Sequence, residues 1–425
     1  LPSFTIGLTT GAIGVIFDLS YAVLIFSGTL AHHLAAGISL VLFSAATTRI
    51  AIVLTSSFPG MIADLGTVPT AILAWSVGMV VKQIPPTAAP QAILATVMAT
   101  IALTSLLTGA VLLLLGVLRL GRWARSLPHA VVGGFIASTG WLLVKGACKV
   151  MTDAPLELAQ LPTLMQPNYL MHWLPGCLLA FYLLVITKQR THPLVMIGSV
   201  LGAIALFYGW LSLSGLPVAA SHPSWTLAIP AQTGFATIWQ SLHWADIGQI
   251  HWQAIASQWM CIDTVIVTTA ISLLMNVSSM ELMSQRSIDT NQELKVAGVA
   301  NLAIGLWGGI LSYHSLSKSV LAHKLGSQGR LPPLIDSTIF ILVPLLGSSL
   351  LGFFPKPVLG GLLLFLGLSL LLDWVINAWF KFSRWDYCIV QLIWIVSSTV
   401  GFLQGLSLGW ALAVGLIILR PLHKR

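Results

Sequence analysis

Charge is what this sequence has least of. Only 8% of its 425 residues are Asp, Glu, Lys or Arg, against about 25% in a soluble domain. Over such a length the deficit leaves too little polar surface to coat a water-soluble globule. Cysteine is also sparse: Cys148, Cys177, Cys261 and Cys388 lie scattered in or beside apolar runs, with neither metal nor disulfide spacing. His32, His33, His172, His243 and His251 stand singly or as neighbours at the edges of apolar runs, with no nucleophile and no metal spacing beside them. Interfacial histidines near tryptophans are the plainer reading. These absences speak against enzyme chemistry, and no cofactor and no metal are expected. A cleavable leader is not evident either, because the first apolar run starts almost at Leu1.

What the sequence has in quantity is apolar length, 56% of its residues being hydrophobic. A spanning helix needs about 20 mostly apolar residues, so there is room for about twelve to fourteen spans. Runs bounded by charge, Pro or Gly place them. Spans one and two cover Ile6–Phe26 and His33–Leu54, and a short span three follows Pro69. Spans four to seven lie near Gln91–Leu118, Pro128–Val144, Trp173–Thr187 and Pro193–Leu213. A polar, Trp-rich stretch runs from Ser214 to Trp252, before spans eight and nine near Ala254–Met275 and Leu294–Leu311. A short span ten starts near Ser315, and spans eleven to fourteen lie near Pro333–Phe353, Pro357–Leu372, Tyr387–Val400 and Leu406–Leu419. With the N-terminus inside, alternation puts 15 Lys and Arg inside, Arg49 among them, against 4 outside: Lys82, Lys145, Lys149 and Lys356. This asymmetry accounts for the net charge of +8 without nucleic acid, and it sets both termini in the cytoplasm.

The segment from Pro128 to Gly134 recurs, with substitutions, from Pro355 to Gly361. Seven spans separate the two, so the copies are inverted, and the short spans three and ten are also seven apart. Chance similarity between Gly- and Pro-rich helix starts is the alternative. Inverted repeats with interrupted helices at matching positions are the sequence pointer to a transporter's midplane site. Before span three, Pro59, Gly60 and Gly66 cannot sustain a helix, Thr67 suits an N-cap and Pro69 the first turn. Before span ten, Gly308 and Gly309 lead into a serine-rich start, Ser312, Ser315, Ser317 and Ser319, whose hydroxyls suit capping. A helix that begins inside a membrane leaves amide N–H groups unpaired and a partial positive charge at its end. Two such ends facing each other make an anion cradle. Lys318 adds a full charge there, unless it snorkels to the interface. In span one, Gly7, Gly11, Gly14, Asp18 and Ala22 fall on one helix stripe. Small residues mark close helix packing, so Asp18 faces protein. Three readings of Asp18 stay open: a neutral acid bonded to backbone, a proton carrier, and a partner for Lys318.

Asn291-Gln-Glu-Leu294, Gly298-Val-Ala-Asn301, Gly305, Gly308-Gly309 and Ser315-Leu-Ser-Lys-Ser319 together resemble the signature of the SulP family of sulfate and bicarbonate transporters and animal anion exchangers. The resemblance implies an all-α integral membrane fold of fourteen spans in two inverted seven-span repeats, with half-helices at spans three and ten preceded by short extended segments. It implies one transport domain over residues 1–425: a core (1–121 and 254–354) that moves elevator-fashion against a gate (122–253 and 355–425), in a homodimer. Carried over, the solute site is Phe17, Asp18 and Tyr21 from span one, Thr67 and Val68 from span three, and Ser315, Leu316, Ser317, Lys318 and Ser319 from span ten. Asp18 and Asn276 are the candidate coupling residues.

The sequence also departs from that family. A Gln expected in span one is replaced, with Asp18 beside its place, and the acidic residue expected in span eight gives way to Ser272 and Asn276, Glu281 falling later. The Ser56-to-Gly60 and Tyr313-to-Ser315 stretches resemble a divergent branch that includes fungal vacuolar proteins linked to basic amino-acid storage. Family members usually end in a cytoplasmic STAS domain, and none follows Arg425, so the chain reads as the membrane portion of such a protein, set in a bacterial inner membrane. The leading expectation is a secondary transporter or exchanger of a small inorganic anion such as sulfate, bicarbonate or chloride. Two alternatives are a carrier of cationic or zwitterionic amino acids that uses Asp18, and a non-transporting sensor or scaffold.

Overall fold

The structure, a computed structural model, describes residues 2–121, 129–157, 160–189, 193–213, 225–227, 248–324, 329–346 and 352–419. Most of the polar stretch after Ser214, and Pro128 with the loop charges Arg122, Arg125 and Arg190, lie outside the described residues.

Helices form where the apolar runs predicted them. They are α1 (Pro2–Ile25), α2 (Leu34–Thr55), α3 (Thr67–Gln83) and α4 (Pro90–Val117). After them come α5 (His129–Thr152), α6 (Pro167–Gln189), α7 (Pro193–Leu213), α8 (Trp259–Ser284) and α9 (Thr290–Leu306). The last five are α10 (Leu316–Lys324), α11 (Leu331–Leu346), α12 (Lys356–Leu371), α13 (Arg384–Thr399) and α14 (Phe402–Leu419). Eight are long and apolar enough to cross a membrane: α1, α2, α4 to α8, and α12 taken with the helical turns that carry it on to Lys381. By contrast, the nine residues of α10 extend only about 14 Å, less than half of a hydrocarbon core.

Several boundaries differ from the sequence reading, each for a local reason. α8 runs on past Met275 to Ser284, and Gln285 ends it in a left-handed conformation at φ 52°. α9 begins four residues before Leu294, because Asp289 caps it, accepting from the backbone N–H of Asn291 at 3.0 Å and of Gln292 at 3.2 Å. Asp289→Ala is therefore expected to cost about 1 kcal/mol, read as a small drop in melting temperature, and a neutral result would discount the cap. Thr67 is not the N-cap of α3. Gly66 holds that place, and Thr67 is the first helical residue with its hydroxyl turned to Tyr21.

Two four-residue strands precede the short helices. β1 (Ile62–Leu65) pairs antiparallel with β2 (Ser312–Ser315), and Leu65 lies opposite Ser312 while Ile62 lies opposite Ser315. Each strand runs straight into its helix, so the starts of α3 and α10 sit at opposite ends of this ribbon. Three strand steps put the strand ends Leu65 and Ser315 about 10 Å apart along the ribbon, with the helices leading away in opposite directions. Cross-strand partners share a face: Asp64 and Tyr313 are on one side, Ala63 and His314 on the other.

Packing around the ribbon follows small residues. α1 lies along α11, and a Cβ on Gly14 would meet Lys318 Nζ at 2.5 Å and the Phe340 ring at 2.8 Å. The stripe read from the sequence is thus a contact face, and Asp18 on it is fully buried. α2 packs on α1, α9 and α11, α4 on α9, and α3 on α8, whereas α5 packs on α12 and α13, α6 on α12 and α14 on α13.

Candidate solute-binding site

Arg49 occupies the centre. It lies in α2 with 1% of its side chain exposed, and a guanidinium there needs carboxylates to offset its lost hydration. Three supply it from three elements. Its Nε donates to Asp336 Oδ2 at 3.0 Å, Nη1 to Asp18 Oδ2 at 3.3 Å, and Nη2 to Asp64 Oδ1 at 2.6 Å. The planar fork of arginine suits such divided bonding, and an ammonium does not. The guanidinium carbon also lies 3.6 Å from the centre of the Phe340 ring, one helical turn beyond Asp336 in α11, a cation–π contact. Arg49 therefore leaves the set of loop charges to which the sequence count assigned it. It is an internal counter-ion.

Lys318, at the start of α10, is 6% exposed, and its Nζ lies 2.9 Å from Asp64 Oδ2. It does not snorkel. Asp18, once a candidate partner for Lys318, pairs with Arg49 instead. Asp64, on β1, bridges both cations, and at 22% exposure it is the most open member of the cluster. Its Oδ1 also accepts the N–H of Leu65 at 3.2 Å. Three carboxylates against two cations leave one negative charge in excess when all five are ionised.

The backbone adds positive potential. The first N–H groups of α3, on Thr67 and Val68, and of α10, on Leu316, Ser317 and Lys318, have no acceptor within their own helices. Tyr21 reaches from α1 to Thr67, with oxygens 2.7 Å apart, which ties the start of α3 to the helix carrying Asp18. Gly66 is required here because the Tyr313 ring fills the place of a Cβ. The partly buried Asp64, Thr67 and Ser315 and the exposed Ser317 form the accessible rim, and the hydroxyls of Ser315 and Ser317 are 3.5 Å apart.

Not every residue expected at the site faces it. Phe17 packs against Leu362, Met196 and Val200 of α12 and α7, since one step along a helix turns a side chain about 100° away from Asp18. Val68 buries its side chain beside Ile72 and Phe135, so only its amide is available. Leu316 packs with the apolar cluster of Phe58 and Met61. Ser319 is structural, donating to the Ser315 carbonyl at 2.6 Å and accepting the N–H of Ile62 at 3.0 Å. Asn276 donates to the His314 carbonyl at 2.7 Å and holds β2 against α8. The sequence reading missed Arg49, Asp64 and Asp336. One signal was available for Arg49: it falls inside the apolar run drawn to Leu54, an unbalanced cation in a segment that should carry none.

Comparison with known proteins agrees with this architecture. The transmembrane domain of a cyanobacterium bicarbonate transporter, BicA, superposes with a TM-score of 0.70 at 17% identity, over 96% of this chain and 97% of that one. The murine Solute Carrier 26 family member A9 anion transporter, in its inward-facing state, gives 0.71 at 16% identity over 99% of this chain and 68% of its own. Among curated proteins, the vacuolar basic amino acid transporter VSB1 of Saccharomyces cerevisiae is 24% identical over 327 residues, 73% of this chain and 30% of its own length. A probable sulfate transporter of Mycobacterium tuberculosis is 22% identical over 277 residues, 63% of this chain and 46% of its own. The chain thus spans less than half the length of these two curated relatives. Its residues 4–393 match the sequence model of the sulfate permease family, and with the helical membrane fold shared with transporters rather than enzymes, the chain belongs to that family.

Proposed function

We propose that this chain is the membrane unit of a secondary transporter that carries a small inorganic anion together with protons, bound between the starts of α3 and α10. The observation that carries this reading is the charge cluster at the ribbon. Arg49 and Lys318 lie beside two opposed helix starts, yet three carboxylates occupy them. With all five groups ionised the cluster repels an anion. Two protons delivered to the carboxylates turn the excess of one negative charge into an excess of one positive charge, and the cluster then attracts one. Anion and proton binding are coupled by this arithmetic. Fourteen spans in two inverted repeats, the core and gate bounds read from the sequence, a homodimer and an elevator movement belong to the same proposal. The most extensive helix packing, α4 on α9 and α1 on α11 in one group and α5 and α6 on α12 in the other, falls within the two groups and supports the division.

Uptake of radiolabelled sulfate, bicarbonate and chloride into proteoliposomes, with the inside neutral and the outside acidified stepwise, tests it. Saturable uptake of at least one anion, rising as the outer pH falls, is expected. Its absence for all three would end the anion reading.

A second reading has its own support. Three carboxylates around one arginine also suit a guanidinium or ammonium solute, and the yeast relative is a basic amino acid transporter. In that case arginine or lysine is carried, its binding weakens as the carboxylates are protonated, and uptake falls with acidity. The two readings predict opposite pH slopes.

A further inference from the structure

We propose that Glu293 and His314 form a second proton-binding site, separate from the Arg49 cluster, whose occupancy locks the strand ribbon to α9. His314 lies on the face of β2 opposite to Asp64 and Tyr313, and its Nε2 is 2.6 Å from Glu293 Oε2. Both side chains are fully buried. The other carboxylate oxygen, Oε1, accepts from the backbone N–H and from the hydroxyl of Ser57, each at 2.7 Å. Ser57 lies in the irregular segment just ahead of β1, and Asn276 of α8 holds the His314 carbonyl. One carboxylate therefore gathers the beginning of α9, the approach to β1 and the middle of β2. These are the elements that aim α3 and α10.

The chemistry is that of a proton-dependent contact. With the imidazole protonated, the pair is a fully buried ion pair, and its two charges offset each other. With the proton gone, Glu293 keeps its two Ser57 donors, but its attraction to the strand falls to that between a charge and a neutral ring. Other ionisable side chains stand near but are differently engaged. Arg330 Nη2 reaches the Ser56 carbonyl at 3.5 Å, and the His323 ring is 6.5 Å from that of Phe58. Lys295, in α9, lies against Gly116 of α4, and Glu281 sits toward the end of α8. Arg49, Asp64 and Lys318 are paired with one another or with Asp18 and Asp336. α4 carries no charged residue at all.

Hydrogen–deuterium exchange of the whole chain in nanodiscs, without added solute and across the pH range 5 to 9, reads the lock directly. Intrinsic exchange rates are corrected for at each pH. In the unaltered protein, peptides covering 56–66 and 312–319 are expected to gain at least severalfold protection at the acid end. His314→Gln, which keeps a donor but cannot carry the charge, should show flat protection with pH in these peptides. Asp18→Asn should keep the pH step, which separates this site from the Arg49 cluster, and His323→Gln should keep it too. If His314→Gln does not fold, Glu293→Gln is read the same way. A step that survives both the His314 and the Glu293 substitutions, or that vanishes equally in Asp18→Asn, overturns the proposal whatever solute is carried.

Discussion

Replacing Arg49 by methionine is expected to cost about 3–5 kcal/mol, the usual penalty for stranding a buried charge by removing its partner. Here the cost falls at the high end, because one guanidinium serves Asp18, Asp64 and Asp336 together. Asp18 and Asp336 have no measurable exposure and cannot turn to water for relief. The melting temperature of the purified protein, followed by the loss of its monodisperse elution peak, should drop by several degrees, or the variant should fail to accumulate. Arg49→Lys should recover little, since a single ammonium cannot present three diverging donors. The informative control adds Asp18→Asn and Asp336→Asn to Arg49→Met. Removing the stranded charges should restore much of the loss, which distinguishes a charge effect from lost packing against Phe340. An Arg49→Met protein that melts with the parent would remove the hub from the account of both fold and site.

The sequence disclosed the helices and the two interruptions more readily than the charges that matter. An apolar run ended by Pro or charge reports a helix through local composition alone, which is why α7 begins at Pro193 and ends at Leu213 as read. Pro59, Gly60 and Gly66 likewise reveal a broken helix without any knowledge of its partner. That the two breaks pair as strands required the register of Asp64 with Tyr313, some 249 residues apart, and no local signal carries that. Asp18 stood out because a lone carboxylate in an apolar stripe demands an explanation. Arg49 did not, because a cation near the end of an apolar run looks like the inner boundary of a span. Its partners lie 15, 31 and 287 residues away. Asp336 was hidden in the same manner, close after Pro332 and Pro333, where a charge reads as a helix edge. The Glu293–His314 pair was half visible: both residues belong to stretches that carry the family resemblance, but only the fold sets them in contact.

Lys318→Gln should change solute binding by at least about tenfold, and the sign of the change identifies the solute. The argument rests on the pairing of Lys318 Nζ with Asp64 Oδ2 at 2.9 Å. Losing the ammonium leaves Asp64 with Arg49 alone and raises the negative excess of the cluster from one charge to two. For an anion the loss is direct, because the site gives up one of its two cations and gains net repulsion. Truncating one member of a desolvated charge pair costs about 2–5 kcal/mol, and a tenfold change in affinity needs only about 1.4. For a cationic solute the same substitution removes a competitor for Asp64 and should tighten binding. Isothermal titration of the detergent-solubilised protein with sulfate, chloride, bicarbonate and arginine, at one acidic and one alkaline pH, reads both outcomes. Lys318→Arg, which retains the charge, should stay near the parent in either case. Affinities for every solute that are indifferent to Lys318→Gln would place binding away from the start of α10, and with it the reason for a helix that begins in the middle of the fold.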